Sequence, residues 1–307
     1  MNGRLSVHVC TYNRVGEFGM LLSSLRFQTF KDWDLVIIDQ SETPSKNYKQ
    51  ISDILTRLKL DGHGVKYVID QLRKGISATR NKAVMEDPWK NEYIVRLDDD
   101  SFCEIDYLER LMKIVTKGCD DYVETGECEH ERKEGECKFS MMGFVEKIGA
   151  VGGIVPLLGS PNIIRDTRFL KNNFDEIIYN DGRITVTDNG GYSWLPNKVL
   201  LSHHLRSCFL FRRSAWEKVN GFSEDMGGSI SGFREETDFS IKLAQAGYFL
   251  LLDTGAKAYH MPAMTGGARG TNQEEYRNAL AINEEHFQRK FKYLFNKFGN
   301  PYLKWEK

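Results

Sequence analysis

The chain has 307 residues, 41% of them hydrophobic, which is enough to bury the core of one large domain or two small ones. Its 42 basic and 43 acidic residues leave a net charge of −1, so nucleic acid is not expected as a partner. The sequence has no run of 18 apolar residues, and its start does not read as an export signal. We therefore expect a cytoplasmic protein whose six cysteines are reduced thiols.

Strand-like and helix-like hydrophobic patterns alternate along the first 117 residues. Strands are predicted at residues 5–10, 33–39, 65–70 and 92–100, and helices at residues 11–30, 45–60, 75–86 and 105–115. This alternation indicates an α/β fold with a parallel, doubly wound central sheet flanked by helices. Ligands of such sheets bind at the carboxyl ends of the strands.

Polar side chains gather at the ends of three of these strands. They are Thr11, Tyr12 and Asn13 after the first strand, Asp39 at the end of the second, and Asp98, Asp99 and Asp100 at the end of the fourth. Three consecutive carboxylates repel one another unless an opposite charge neutralises them. Asp98 and Asp100 point to the same side of an extended chain, and carboxylate oxygens suit Mg²⁺ or Mn²⁺. A solvated turn or a helix N-cap is the alternative.

The pattern is less regular from residue 118 onward. Residues 118–147 are highly charged, which is typical of a hairpin or an exposed insertion. Further strands are predicted within residues 149–158, 207–212 and 249–260, and helices within residues 213–222, 235–247 and 272–298. The helix that begins near Glu235 carries Glu236 and Asp238 in its first turn. These carboxylates either stabilise the helix start or include a general base that faces a cleft. His260 is either a packing residue or a metal ligand.

The order of these segments resembles family two of the inverting, nucleotide-sugar-dependent glycosyltransferases, which have the GT-A fold. The matching segments are "VHVCTYNR", "LVIIDQS", "RKGISATRNKAV", "VRLDDDS" at the position of that family's DxD motif, "GAVGGIV", "SCFLFRRSAWEKVNGF", "FREETDFSIKLAQAGY" and "AKAYHMP". The resemblance covers residues 4–262. It implies a GT-A domain over residues 1–265, with a nucleotide-sugar half at 1–117 and an acceptor and catalytic half at 118–265. Residues 266–307 form a C-terminal helical tail.

The resemblance also implies roles for individual residues. The donor-binding residues are Thr11, Tyr12, Asn13, Arg14, Asp39, Arg73, Gly75, Arg80 and Asp98, with Asp99 as the spacer inside the DxD motif. A Mn²⁺ or Mg²⁺ ion is implied at Asp98, Asp100 and His260. Glu236 is the implied catalytic base, although the family usually has Asp there, and Glu235 is the alternative. Asp238 is expected to bind the acceptor or to cap the helix.

The implied function is metal-dependent transfer of a hexose from a nucleotide-diphosphate sugar, with a UDP-sugar favoured, to a hydroxyl of a glycan or glycolipid. Two alternatives stay open: a carbohydrate- or nucleotide-binding module with a degenerate site, and a sugar nucleotidyltransferase. The intact set of Asp98, Asp100, Glu236 and His260 argues against the first alternative. The segment "VCTYNRVGEF" lacks a glycine-rich basic loop for a triphosphate, which argues against the second.

Several segments keep two interpretations. Trp194 either stacks on an acceptor sugar or covers the core. Residues 227–236 and 264–270 are glycine-rich and are either lids over the donor or plain turns. The segment with Cys119, Cys128, His130 and Cys137 has no CxxC unit, which disfavours structural zinc.

The C-terminal helix has an apolar face formed by Phe287, Phe291, Leu294 and Phe298. Such a face fits peripheral contact with the inner face of a membrane, packing against the catalytic domain, or contact with a second subunit in a homo-oligomer.

Overall fold

The computed structural model describes residues 4–72, 75–117, 145–159, 173–174, 177–180, 182–186, 199–227, 232–261, 266–267 and 273–304. The strands are β1 Leu5–Thr11, β2 Trp33–Asp39, β3 Val65–Ile69, β4 Tyr93–Asp98, β5 Ser101–Cys103, β6 Ile148–Ile154, β7 Asn173–Phe174, β8 Ile177–Asn180, β9 Arg183–Val186, β10 Val199–Ser202, β11 Phe209–Arg212 and β12 Phe249–His260. The helices are α1 Val15–Arg26, α2 Lys49–Leu60, α3 Ile76–Glu86, α4 Tyr107–Lys117, α5 Arg213–Lys218, α6 Glu224–Gly227, α7 Glu235–Gln245 and α8 Gln273–Phe298.

The first half of the sheet has the strand order β3-β2-β1-β4, and all of its neighbours are parallel. Strands β1 and β2 are almost fully buried, as expected for the centre of a sheet that is covered by helices on both faces, whereas β3 at the edge is half-buried. The predicted alternation of strands and helices is therefore confirmed here. Several boundaries differ by up to four residues, and at the acidic segment β4 ends at Asp98 and the chain then turns into the short strand β5.

The second half of the sheet continues in the order β11-β6-β12-β10-β7 and mixes parallel and antiparallel neighbours. Strand β11 runs antiparallel to both β4 and β6, whereas β12 runs parallel to β6. Strand β6 can lie this close to β12 because it contains glycine. A Cβ atom on Gly153 would lie 2.3 Å from the carbonyl oxygen of Ala256. The α/β prediction is confirmed, and the parallel pattern is confined mainly to the first half.

The two halves share one hydrophobic core. Phe209, Phe211, Phe222 and Phe239 pack their rings against one another in the second half. Asn81 on α3 then joins the halves, because its side-chain amide donates to the carbonyl of Phe222 at 2.9 Å and accepts from the N–H of Phe222 at 2.9 Å. Helix α3 is thereby fixed to the segment that precedes α7.

Helix α8 buries an aromatic stripe formed by Phe287, Phe291 and Phe295 in this core. The predicted apolar face was only partly right, because Phe298 is 65% exposed and Phe295 takes the buried position one turn after Phe291. None of the helices within the described ranges is long and apolar enough to cross a bilayer. Contact with a membrane surface or with a second subunit stays a prediction.

Candidate active site

The acidic turn Asp98–Asp100 lies at the carboxyl edge of the sheet, between β4 and β5. Cys10 pairs with Asp98 across β1 and β4, and Thr11 pairs with Asp39 across β1 and β2. This register brings the polar ends of three strands together. It is the edge at which ligands of open α/β sheets bind.

Arg14 supplies the positive charge opposite the second and third aspartates. Its Nη1 atom lies 2.9 Å from Oδ1 of Asp99 and 2.6 Å from Oδ2 of Asp100. Thr11 also donates to Asp99, at 2.9 Å. Burial, together with the charge of Asp100, raises the pKa of Asp99 to about 7, while Arg14 opposes that shift. Asp99 was expected to be a spacer, but the structure places it in the buried contact that holds Arg14.

Asp98 points to a different set of cations. Its Oδ1 atom lies 3.0 Å from Nη2 of Arg80 and 2.7 Å from Nη2 of Arg96. The three predicted metal ligands therefore do not converge. Within the described parts of the chain, no three His, Cys, Asp or Glu side chains are grouped so that they could hold a metal ion.

His260 does come close to the acidic turn. Strand β12 runs antiparallel to β5, with His260 opposite Ser101, and Nδ1 of His260 lies 3.3 Å from Oδ1 of Asp100. The N–H of Met261 donates to the carbonyl of Asp100 at 2.7 Å, which fixes this junction. One carboxylate and one imidazole fit an ion that takes its other ligands from phosphates and water.

Glu235 and Glu236 face this edge from the start of α7. Oε1 of Glu235 lies 2.8 Å from Nη1 of Arg96 and 2.9 Å from Nη1 of Arg80. Among the described residues, the buried Oε2 atom of Glu235 has no hydrogen-bond partner. Burial and the charge of Glu236 raise the pKa of Glu235 well above its usual value, although Arg96 opposes the shift.

The two glutamates differ in access. The side chain of Glu236 is 23% exposed, whereas that of Glu235 is 1% exposed. Oε1 of Glu236 lies 3.4 Å from Nη2 of Arg96, so the same guanidinium contacts both glutamates and Asp98. An incoming molecule can reach Glu236, while Glu235 is enclosed.

Asp238 is directed away from this edge. Its carboxylate is fully buried and accepts from Ser223 at 2.6 Å and from Lys290 of α8 at 2.6 Å. Neither carboxylate oxygen of Asp238 is exposed, so the structure gives no support to the prediction that Asp238 binds an acceptor.

The loop after β2, which lies beside the predicted nucleotide-binding loop Thr11–Arg14, is ordered by Asp39 from within. Its oxygens accept the backbone N–H groups of Ser41 at 2.8 Å and Ser45 at 2.6 Å and the hydroxyl of Tyr67, and the carboxylate is fully buried. Direct contact between Asp39 and a nucleotide stays a prediction that requires this loop to rearrange. Tyr12 and Asn13 lie on the outer side of the loop, where each contacts Glu42.

Gly75 begins α3 with a positive φ of 93°, a backbone conformation that favours glycine. Arg80, one turn further along that helix, is part of the network of buried carboxylates rather than of an open phosphate site. Several residues that the sequence analysis singled out lie outside the described residues. They are Arg73, Trp194 and residues 118–144, which include the four candidate zinc ligands.

Arg96 was not predicted from the sequence. It contacts three carboxylates of the site, those of Asp98, Glu235 and Glu236. A signal for Arg96 was present. In a strand, residues two apart share a face, so Arg96 must lie on the same side of β4 as Asp98. An arginine at a buried position beside a carboxylate indicates an ion pair, but the sequence does not show that Glu235 is the second partner.

Comparisons with known proteins find similarity to glycosyltransferases in part of the chain. Residues 6–138 match the family model described as glycosyl transferase family 2. A putative colanic acid biosynthesis glycosyl transferase, WcaA of Escherichia coli, is 27% identical over 99 residues, which cover 32% of this chain and 33% of WcaA. The glycosyltransferase GlyA of Streptococcus pneumoniae is 25% identical over 150 residues, which cover 48% of this chain and 20% of GlyA.

Solved structures share the fold at low sequence identity. GalNAc-T7, crystallised with UDP, GalNAc and Mn²⁺, superposes with a TM-score of 0.57 at 12% identity, covering 91% of this chain and 48% of that one. TarS of S. aureus in complex with UDP-GlcNAc gives a TM-score of 0.53 at 14% identity, covering 91% and 66%.

The central sheet with its flanking helices is the fold of the GT-A glycosyltransferases. Residues 6–138 are similar to glycosyl transferase family 2, and the curated relatives are named as glycosyltransferases. The chain spans about a third or less of the length of the curated relatives that it matches.

Proposed function

We propose that this chain transfers a hexose from a nucleotide-diphosphate sugar, most readily a UDP-sugar, to a hydroxyl of a glycan or glycolipid, in one inverting and metal-dependent displacement. One observation carries the proposal. Arg96 joins the acidic turn at the end of β4 to the glutamates at the start of α7, which lie about 140 residues further along the chain. Acidic groups suited to a metal-bound diphosphate and to proton abstraction thus face one edge.

The donor side of this edge is formed by the loop Thr11–Arg14, the acidic turn and the start of α3. A helix start presents unpaired backbone N–H groups, and these favour a phosphate group. The choice of UDP draws on GalNAc-T7 and TarS, whose structures contain UDP and UDP-GlcNAc. Division of the domain into a donor half at 1–117 and an acceptor half at 118–265 belongs to the same proposal.

Asp100 and His260 are the residues that would hold a divalent ion, because they converge from β5 and β12. A bound Mn²⁺ or Mg²⁺ would stabilise, as a Lewis acid, the negative charge that develops on the departing diphosphate. Asp98 is assigned to the donor side and to Arg80 and Arg96, since its carboxylate contacts both guanidinium groups.

Glu236 is the proposed base. Its carboxylate takes the proton of the acceptor hydroxyl while that oxygen forms a bond to the anomeric carbon. The bond between the anomeric carbon and the diphosphate oxygen breaks, and its electron pair leaves with the diphosphate. Glu235 holds the arginines that orient Glu236. Its enclosed carboxylate, with a side chain that is 1% exposed, does not suit it to meet an acceptor.

The test is a panel of nucleotide-diphosphate sugars, each measured by thermal shift with and without Mn²⁺. A ligand that binds only the folded state raises the melting temperature as its concentration exceeds Kd. We expect a Mn²⁺-dependent increase with at least one UDP-sugar, followed by slow hydrolysis of that donor. The absence of any increase and of any hydrolysis would overturn the proposal, whereas binding without turnover would favour a binding module.

The stereochemistry is a separate test. Once an acceptor is found, the anomeric configuration of the product, read by proton NMR, should be the inverse of the configuration in the donor. A product that retains the donor configuration would contradict the single displacement and leave the transferase assignment standing.

A further inference from the structure

We propose that helix α8 is a positioning element for the catalytic helix, and that it holds the first turn of α7 through the ion pairs Glu284–Arg234 and Lys290–Asp238. The inference rests on the proposed function, since it concerns the placement of the proposed base. Arg234 and Asp238 flank Glu235 and Glu236 in sequence, so the two ion pairs lie on either side of the glutamates.

The first ion pair acts on the residue before the helix. Arg234 is the N-cap of α7 and has a left-handed backbone, with φ at 70° and ψ at 4°. This conformation is unfavourable for a residue other than glycine and persists only where surrounding contacts hold it. Nε of Arg234 donates to Oε2 of Glu284 at 2.8 Å, and the guanidinium carbon lies 5.4 Å from the ring centre of Phe287. Helix α8 thus supplies both contacts that fix this arginine from outside its own segment.

The second ion pair acts one turn later. Asp238 is fully buried, and Nζ of Lys290 lies 2.6 Å from its Oδ1 atom. The N–H of Asp238 donates to the carbonyl of Arg234 at 2.9 Å, which closes the helical turn that carries the two glutamates. Replacement of Lys290 by a neutral residue leaves Asp238 with its bond from Ser223 but removes the cation at 2.6 Å, which is unfavourable for a buried carboxylate, so we expect this turn to loosen.

Helix α8 is itself anchored. Phe287 and Phe291 are fully buried in the main core, and at 100° per residue Phe287 lies between Glu284 and Lys290 around the helix axis. The aromatic residue therefore seats the helix while the two charges extend to either side of it. The position of Glu236 relative to Asp98 and Arg96 consequently depends on a helix about 50 residues further along the chain.

The experiment compares Glu284→Gln and Lys290→Met with wild type, using the donor found by the panel above. We expect kcat to fall roughly 10- to 100-fold, because small displacements of a catalytic group have effects of that size. The KM for the donor and the Kd for UDP should stay within twofold of wild type. Lys290→Arg should restore most of kcat, since it returns a cation to Asp238.

Two variants on the same helix are matched controls. Glu285→Gln removes an exposed charge next to Glu284, and Lys297→Met removes an exposed lysine near the end of α8. Both should keep the wild-type kcat. Arg234→Gly should relieve the left-handed backbone yet still lower kcat, because it removes the contact with Glu284. Wild-type kcat in Glu284→Gln and Lys290→Met would overturn the proposal.

Hydrogen exchange separates this inference from the proposed function. Amides in residues 235–241 should exchange at least several-fold faster in Glu284→Gln and Lys290→Met than in the two controls. This readout needs no donor. Unchanged exchange would overturn the positioning role even if the enzyme is active. Faster exchange in a chain that turns over no donor would support the role of α8 while contradicting the transferase proposal.

Discussion

The two halves of the sheet differ in where their stabilising charges come from. Arg14, Arg80 and Arg96 all belong to the first half, and they neutralise the carboxylates of both halves. Glu235 and Glu236 lie at the start of α7, and both contact the same cation, Arg96 of β4. The first half can thus form its acidic turn with its own arginine, Arg14, whereas the catalytic helix requires the first half to be folded beside it.

Replacement of the proposed base should have the largest effect. Glu236→Gln removes proton acceptance without changing size, so kcat should fall roughly 10²- to 10⁴-fold. The Kd of UDP, measured by calorimetry, should stay near the wild-type value because the donor side lies in the first half. Glu235→Gln is the comparison. If Glu236→Gln retains wild-type kcat while Glu235→Gln does not, the assignment of the base moves to Glu235.

Loss of the shared arginine should be the next largest effect. Arg96→Met leaves buried Glu235 without its nearest cation, and the free energy of unfolding should fall by about 3–5 kcal/mol. Urea unfolding at pH 7 measures this change. Arg57→Met is the control, because the pair between Arg57 and Asp61 is largely exposed and is worth at most about 1 kcal/mol. Equal losses in the two variants would mean that the halves do not depend on this contact.

The free energy of unfolding should decrease in acid because of His203, which follows β10 in the second half of the sheet. Nδ1 of His203 accepts the N–H of Ile177, its ring stacks on Tyr302, and burial lowers its pKa to about 4. The folded state therefore favours the neutral ring. Neutral His203 contributes fully to the free energy of unfolding above the pKa of an unfolded histidine, about 6.5. This contribution, about 3 kcal/mol, is lost as the pH falls toward 4.

Urea unfolding between pH 7 and pH 4 tests this pH dependence. His203→Asn should lose less stability than wild type over that interval, whereas Tyr302→Phe, which keeps His203, should follow the wild-type slope. Identical slopes in His203→Asn and wild type would rule out His203 as the source.

The smallest expected effect concerns Asp100 and His260, the two proposed ligands of a divalent ion, which lie next to β5 and at the end of β12. Asp100→Asn should weaken UDP binding in the presence of Mn²⁺ roughly 100-fold, or about 2.7 kcal/mol, because one of two protein ligands is lost. Binding of UDP without Mn²⁺ should change far less. Asp106→Asn, at a partly exposed position nearby, is the control. Wild-type affinity in Asp100→Asn would remove this residue from the metal site.

Prediction from sequence succeeded where the signal is local. Alternating strands and helices in residues 5–117 follow from short apolar runs in the strands and from the helical spacing of apolar residues, and both patterns are readable without knowing any neighbour. The same reasoning placed Asp100 and His260 as candidates, and the structure brings their side chains together. It did not identify the ion pairs of Asp99 with Arg14 and of Asp238 with Lys290, because the partners are distant in sequence.

The sequence by itself determined the α/β architecture, the position of the acidic turn at a strand end and the acidic start of α7. Only the tertiary structure decided which cation neutralises which carboxylate. Arg96 contacts Asp98, two residues away, and also Glu235, which is 139 residues away, because β11 places the second half beside β4. Strand order is a property of long-range packing, and no local period in the sequence specifies it.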